Sequence, residues 1–346
     1  MSETGGRYHP TEMRPFRVNS SLERQQVGGF ELPLGIEAEG LPTPQEGYVV
    51  GFREGEEEDP DTYVFEATVS HPRLRALVRQ ALDLLPGEVR GILEVESLDA
   101  YRTIDVHLGI EPIDRDDLLA DYAEFEDIVL EDPSIGLGAN ADEPFVEVFL
   151  DAWKTLVIEV PVELKSTVES MLARHGLAEV DETWPEDPDG SLYGAVRVRP
   201  VLEVGDEQDP NIDELVLQLR ERWMLELDVD PARNVDEQGV ELGPTLWHAI
   251  VMVAPVDPDA GGGAYVDFWA TAGSLMEMEQ LIDEALDRRG EWLFDGIYSM
   301  ERVAFDERPE ALADLPMRGR ETEVHLVSID RWEGDADSGM EPPRRS

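Results

Sequence analysis

Residues 257–269 read DPDAGGGAYVDFW, with Gly261, Gly262 and Gly263 in succession between two apolar runs. Consecutive glycines let backbone N–H groups close around a phosphate. A phosphate loop, however, runs strand, glycine turn, helix, so that the helix N-terminus faces the anion. Here a strand pattern, AYVDFWATA, follows the glycines, and the next helical pattern starts only near residue 274. Asp257 and Asp259 would repel a phosphate, and no G-K-[ST] is present. The glycines therefore read as the turn of a hairpin joining LWHAIVMVAPV to AYVDFWATA.

The strand after the turn carries more information. Side chains of a half-buried strand alternate between two faces. If Ala264, Val266, Phe268 and Ala270 face the core, then Tyr265, Asp267 and Trp269 share the opposite face. An acid between two aromatics suits a protein partner or a ligand; the plainer alternative is a face that water or a helix covers. Asp295, in WLFDGIY, is a second acid at an otherwise apolar position. Glu56, Glu57 and Glu58, in the linker EGEEEDPD, are the other candidate docking residues, suited to steering a basic protein.

Other chemistries find little support. None of the histidines (His9, His71, His107, His175, His248, His325) lies three or four residues from another, and H-E-x-x-H is absent. His248, within WHAIVMV, reads as a hydrogen-bonded core histidine, and His175 suits the negative end of a helix. GSLYG at 190–194 lacks the spacing of a nucleophile elbow. Calcium-loop patterns started at Asp257 or Asp228 fail, ending on Phe268 and Gly239 where glutamate is needed. Without cysteine there is no disulfide, thiolate metal site or cysteine nucleophile. No cofactor and no resident metal are expected.

The charge balance is the strongest compositional signal. The 346 residues include 78 acids against 28 basic residues, for a formal net charge of -50. Such a surface repels nucleic-acid phosphates and anionic membranes. Its self-repulsion costs stability that salt restores. The acids are spread along the whole chain, which favours a solubility device over a dedicated acidic tail. A basic protein partner is the sharper alternative. No signal-peptide pattern and no apolar run of transmembrane length occur, so a cytoplasmic protein is expected.

The elements that must position these residues follow from periodicity. An arm over residues 1–45, in which GGFELPLGIEA packs on the body, precedes three units at 46–135, 144–205 and 206–332, and a disordered tail covers 333–346. Each unit reads as a hairpin, an amphipathic helix and a returning strand. In the first, Ser70 caps a helix whose stripe is Leu74, Leu77, Val78, Ala81 and Leu82. In the second, VELKSTVESMLARHG is helical and AEVDETW is a strand. In the third, Ser274 and Glu277 form a capping box and Gly290 a left-handed stop. The expectation is an α+β fold of mostly antiparallel sheets with helices on one face, in ferredoxin-like, split βαβ units. Its expected role is non-enzymatic: binding or regulating a protein partner. The alternatives are an Asp/Glu- and Mg²⁺-dependent hydrolase and a small-molecule sensor.

Overall fold

The computed structural model describes residues 16–38, 41–55, 60–184, 196–203, 211–257, 261–317 and 321–332. Glu56, Glu57 and Glu58, and the expected tail at 333–346, lie outside the described residues. The chain divides into two compact units. The first takes the described residues of Arg14–Glu96 and Asp105–Asp228; the second takes those of Ser97–Ile104 and Val229–Ser346. The architecture is α+β with mostly antiparallel sheets.

The first unit begins with three short strands, β1 (Gln26–Val27), β2 (Phe30–Glu31) and β3 (Ile36–Ala38). They lie in the segment read as an arm, and Phe30, Leu32 and Ile36 form a small buried cluster there. Then come β4 (Gly47–Arg53), β5 (Thr62–Thr68), α1 (His71–Leu82), β6 (Glu88–Glu96), β7 (Ile104–Gly109), β8 (Ile113–Asp114) and α2 (Arg115–Val129). They are followed by β9 (Ile135–Asp142), β10 (Phe145–Leu150), β11 (Leu156–Pro161), α3 (Lys165–Arg174), β12 (Val196–Val198), α4 (Ile212–Arg222) and β13 (Leu225–Leu227).

Nine of these strands form one sheet, in the order β13-β7-β6-β9-β10-β11-β5-β4 with β8 paired to β6. Strands expected in the first and second units are thus hydrogen-bonded into one sheet, directly through β11 to β5 and by way of β9, a strand expected in neither unit, which pairs with both β6 and β10. The registers set two continuous faces. On one, Phe65, Ile158, Val148, Ala139 and Gly91 lie side by side across the sheet. This inner face packs on the stripes of all four described helices, including Leu77, Phe125, Met171 and Leu219. Trp223, just after α4, reaches over Gly91, where a Cβ would sit 2.5 Å from its ring.

Three local readings change. Ser70 occupies the N-cap of α1 but makes no capping bond. Its hydroxyl accepts the Glu31 N–H at 2.9 Å instead, so tertiary structure claims the group that local capping would have used. The helix expected from Val162 starts as a 3₁₀ turn and becomes α-helical only at Lys165. AEVDETW forms no strand beyond a single parallel bridge between Glu179 and Tyr48.

The second unit contains β14 (Thr245–Pro255), β15 (Gly263–Ala272), α5 (Leu275–Arg289), β16 (Trp292–Val303) and β17 (Glu323–Trp332), with the sheet ordered β16-β14-β15-β17. The glycine turn does join a hairpin, with Val253 opposite Ala264. Ala264, Val266, Phe268 and Ala270 are buried against Met278, Ile282 and Leu286 of α5. Each large side chain so buried contributes about 1.5–3 kcal/mol. The Ser274 hydroxyl accepts the Glu277 N–H at 3.2 Å, while the Glu277 carboxylate accepts the Gly273 N–H rather than that of Ser274. Gly290 ends α5 at φ 64, the left-handed conformation that glycine adopts without strain. Among the described residues no helix is long and apolar enough to cross a membrane.

Candidate functional site

The second unit places Asp267 and Trp269 on the face opposite α5, together with a histidine that sequence reasoning assigned to the core. The β14–β15 register sets His248 opposite Trp269 and Ile250 opposite Asp267. The imidazole stacks on the indole, with centroids 4.4 Å apart and planes 24° apart. Its Nδ1 lies 2.9 Å from Glu301 Oε1 on β16, and its Nε2 lies 3.4 Å from Asp267 Oδ1. Burial disfavours the imidazolium, but hydrogen bonds to Asp267 and Glu301, together with their charges, outweigh it and raise the pKa to about 9. At neutral pH both ring nitrogens therefore carry protons and donate to the carboxylates. Neither offers a lone pair to a metal or to a substrate proton. Asp267 also accepts from the Ser328 hydroxyl at 3.3 Å.

Tyr265 is 3 % exposed. Its ring lies against Tyr298 and Trp332, at 5.6 and 4.7 Å between centroids. The acid and aromatic side chains of this face are therefore largely engaged with their own unit. Asp295 is exposed near the start of β16. Among the described residues no group of three or more His, Asp or Glu is arranged to hold a metal ion.

The first unit presents a different arrangement on the outer face of its large sheet. The same registers that bury Phe65 and Ile158 align Val49, Glu66, Val157 and Phe149 in one row on that face. Glu147 and Glu159 lie opposite each other one step along, and Glu94 sits on the same face of β6 opposite Gly136. A Cβ at Gly136 would lie 2.6 Å from the Phe149 ring and 3.3 Å from Glu94 Cβ, so glycine there leaves room for the ring beside Glu94.

These carboxylates are not equivalent. Glu159 is paired with Arg53 and accepts from the Thr62 hydroxyl, both at 2.6 Å. Elsewhere in the unit, buried Glu126 is held by Arg75 and Arg79, and Glu131 by Arg24 and the Leu34 N–H. Among the described residues, Glu66, Glu94 and Glu147 form no such ion pair with arginine or lysine, although the charge of Arg53 reaches Glu147. Burial raises the Glu94 pKa, and the charges of Asp151 and Glu147 add to the rise. Burial raises Glu147 too and the charge of Glu159 adds to the rise, while the Asn140 hydrogen bond and the charge of Arg53 oppose it.

Beside this row lies a cleft of about 660 Å³, lined by Val49, Glu66, Val157, Trp153, Trp184 and the acids of two loops, Asp151, Asp181 and Glu182. The β10–β11 loop carries Trp153 into it. That loop turns through Lys154, whose φ of 63 is a conformation usually left to glycine. Lysine serves there because its buried ammonium donates to the Ile135 carbonyl at 2.7 Å and lies in the field of Asp132 and Asp151. Burial lowers the Lys154 pKa and raises that of Asp151. Trp184 is fixed by its Nε1 donating to Thr155 Oγ1 at 3.1 Å and by the Phe30 ring at 6.0 Å.

Sequence reasoning missed Glu66, Glu147, Trp153 and Trp184. The alternation that singled out Asp267 applies equally to Glu66 in TYVFEATVS and Glu147 in FVEVF. No local pattern brings Trp153 to Trp184. No protein-family model matches the chain, and no curated protein or solved structure does so either.

Proposed function

We propose that the protein is a non-enzymatic binding protein that recognises a basic protein partner through the outer face of its nine-stranded sheet. The observation that carries this reading is the contrast among its carboxylates. Buried Glu126, Glu131 and Glu159 each form an ion pair with an arginine, whereas Glu66 and Glu94 share the outer face with no ion pair and Glu147 has only the more distant charge of Arg53. Glu94 and Glu147 repel each other on this partly buried face, and a cationic partner relieves that repulsion on docking. The net charge of -50 extends the attraction beyond contact distance and speeds encounter at low salt. The Tyr265, Asp267 and Trp269 face is the weaker docking surface, because its acid is already engaged by His248 and Ser328. The hairpin, α5 and returning β16 of the second unit support a further part of the proposal, that the fold derives from split βαβ, ferredoxin-like pieces.

The test is affinity capture from native lysate at low and at high salt, with wild type and a Glu66→Gln/Glu94→Gln/Glu147→Gln variant. A stoichiometric basic protein retained by wild type and lost from the variant is the expected result. Capture that is indifferent to these three substitutions, or absent at both salt concentrations, refutes the reading.

A further inference from the structure

We propose that the cleft of the first unit binds an organic cation, an alkylammonium or guanidinium group, between Trp153 and Trp184. This rests on the reading of the outer face as a cation-seeking surface and names the group that enters it. The two indoles meet edge to face, 5.4 Å between centroids at 61°, and so form a corner rather than a stack. A cation seated in such a corner lies within about 6 Å of both rings, the range in which the ring quadrupole attracts it. Both rings pack against the buried Phe30, Leu32 and Ile36 cluster, and Trp184 is tied to Thr155, so the corner is preorganised.

Charge selects the same guest. Glu66, Asp181 and Glu182 are exposed at the cleft and half-buried Asp151 lies deeper. The nearby cation, Lys154, is fully buried and committed to the Ile135 carbonyl. An anionic ligand would meet these carboxylates, and a neutral one would leave them uncompensated. The volume suits a small molecule or a single side chain, since ligand pockets span roughly 300–1,000 Å³. An inorganic monovalent ion gains the charge term but little from the indoles. The cleft therefore distinguishes organic cations from potassium. A free small cation and an arginine or lysine side chain of a protein present the same group, and the test separates them.

The test uses the full chain at constant ionic strength, with tryptophan fluorescence and calorimetry following titration by agmatine, tetramethylammonium, potassium and an arginine-containing tripeptide amide. Saturable binding of agmatine and tetramethylammonium, with potassium inert, is expected. Tighter binding of the tripeptide than of agmatine assigns the site to a protein side chain, and the reverse assigns it to a free cation. Trp184→Leu is expected to weaken binding about tenfold, the loss of roughly one cation–π contact in a partly desolvated site. Since Trp184 also packs on Phe30, Glu66→Gln serves as the second variant: it removes an exposed charge and should weaken binding several-fold at unchanged melting temperature. Lack of saturation by either organic cation, equal competition by potassium, or unchanged affinity in Glu66→Gln overturns the proposal. Organic cations that bind wild type while no basic protein is captured leave this inference standing and sink only the partner reading.

Discussion

Replacing Asp99 with alanine is expected to destabilise the second unit by about 3–5 kcal/mol, the cost of leaving a buried charge without its partner. Arg302, on β16, is 2 % exposed. Its Nε lies 2.7 Å from Asp99 Oδ2, and its backbone N–H donates to the same carboxylate at 3.0 Å. Its Nη1 donates to Asn234 Oδ1 at 2.9 Å and to the Val235 carbonyl at 2.7 Å. The Tyr101 and Trp247 rings lie 5.2 and 5.9 Å from the guanidinium carbon. One guanidinium thus pins three segments far apart in sequence, and removing the carboxylate releases the Asp99 segment and leaves the guanidinium without its counter-charge. Its Nη2 already lacks a hydrogen-bond partner among the described residues, so little spare solvation exists to absorb the loss.

The melting temperature of that unit should fall by on the order of 10 °C in calorimetry. Asp99→Asn, which keeps the shape but not the charge, should cost less. Combining Asp99→Leu with Arg302→Met should recover much of the loss, because apolar pairs often replace buried ion pairs without penalty. Equal destabilisation by the double substitution and by Asp99→Ala would show that packing, not the buried charge, sets the cost.

His248 gives the second large effect. Its folded pKa, about 9, lies above the ordinary 6.5. A raised pKa means that the folded state holds the proton more tightly than the unfolded chain does. The stabilisation is therefore fully present below about pH 6.5 and disappears as the pH rises through 9, about 3 kcal/mol in all. Other groups titrate nearby with different signs. Burial lowers the pKa of Lys154, which adds stability at higher pH, and raises that of Glu214 to about 7. The difference between wild type and Asp267→Asn/Glu301→Gln isolates His248. In wild type, NMR of the ring should report a midpoint near 9; in the variant it should fall below 6.5, because burial then acts unopposed. The alkaline loss of stability in the second unit should shrink in step. A wild-type midpoint near 6.5 would show that Asp267 and Glu301 do not hold the ring charged.

Much of the local structure is legible in the sequence because its causes are local. The alternation of Ala264, Val266, Phe268 and Ala270 with Asp267 and Trp269 follows from strand geometry, and Gly290 stops α5 where the apolar stripe ends. What stays hidden depends on register between distant strands. The pairing of β11 with β5, and the unexpected strand β9 between β6 and β10, merge two expected units into one sheet, and no residue in these strands announces its partner. The candidate site inherits this blindness. Glu66, Glu94 and Glu147 come from three strands and share a face only through those registers. His248 reads as a core residue until Glu301 and Asp267 are placed beside it. Ser70 shows the converse: a sound capping signal yields when Glu31 offers a tertiary bond.

A cation-binding face on the first unit, as proposed, is distinguishable from attraction spread over a surface of net charge -50. The direct measurement is an NMR titration of the full chain with an arginine-rich peptide, following backbone amides and tryptophan indoles. Shifts are expected to concentrate at Val49, Glu66, Glu147, Trp153, Val157 and Trp184 and to vanish in the Glu66→Gln/Glu94→Gln/Glu147→Gln variant. Shifts scattered over both units, or centred on Tyr265, Asp267 and Trp269, would contradict the proposed face.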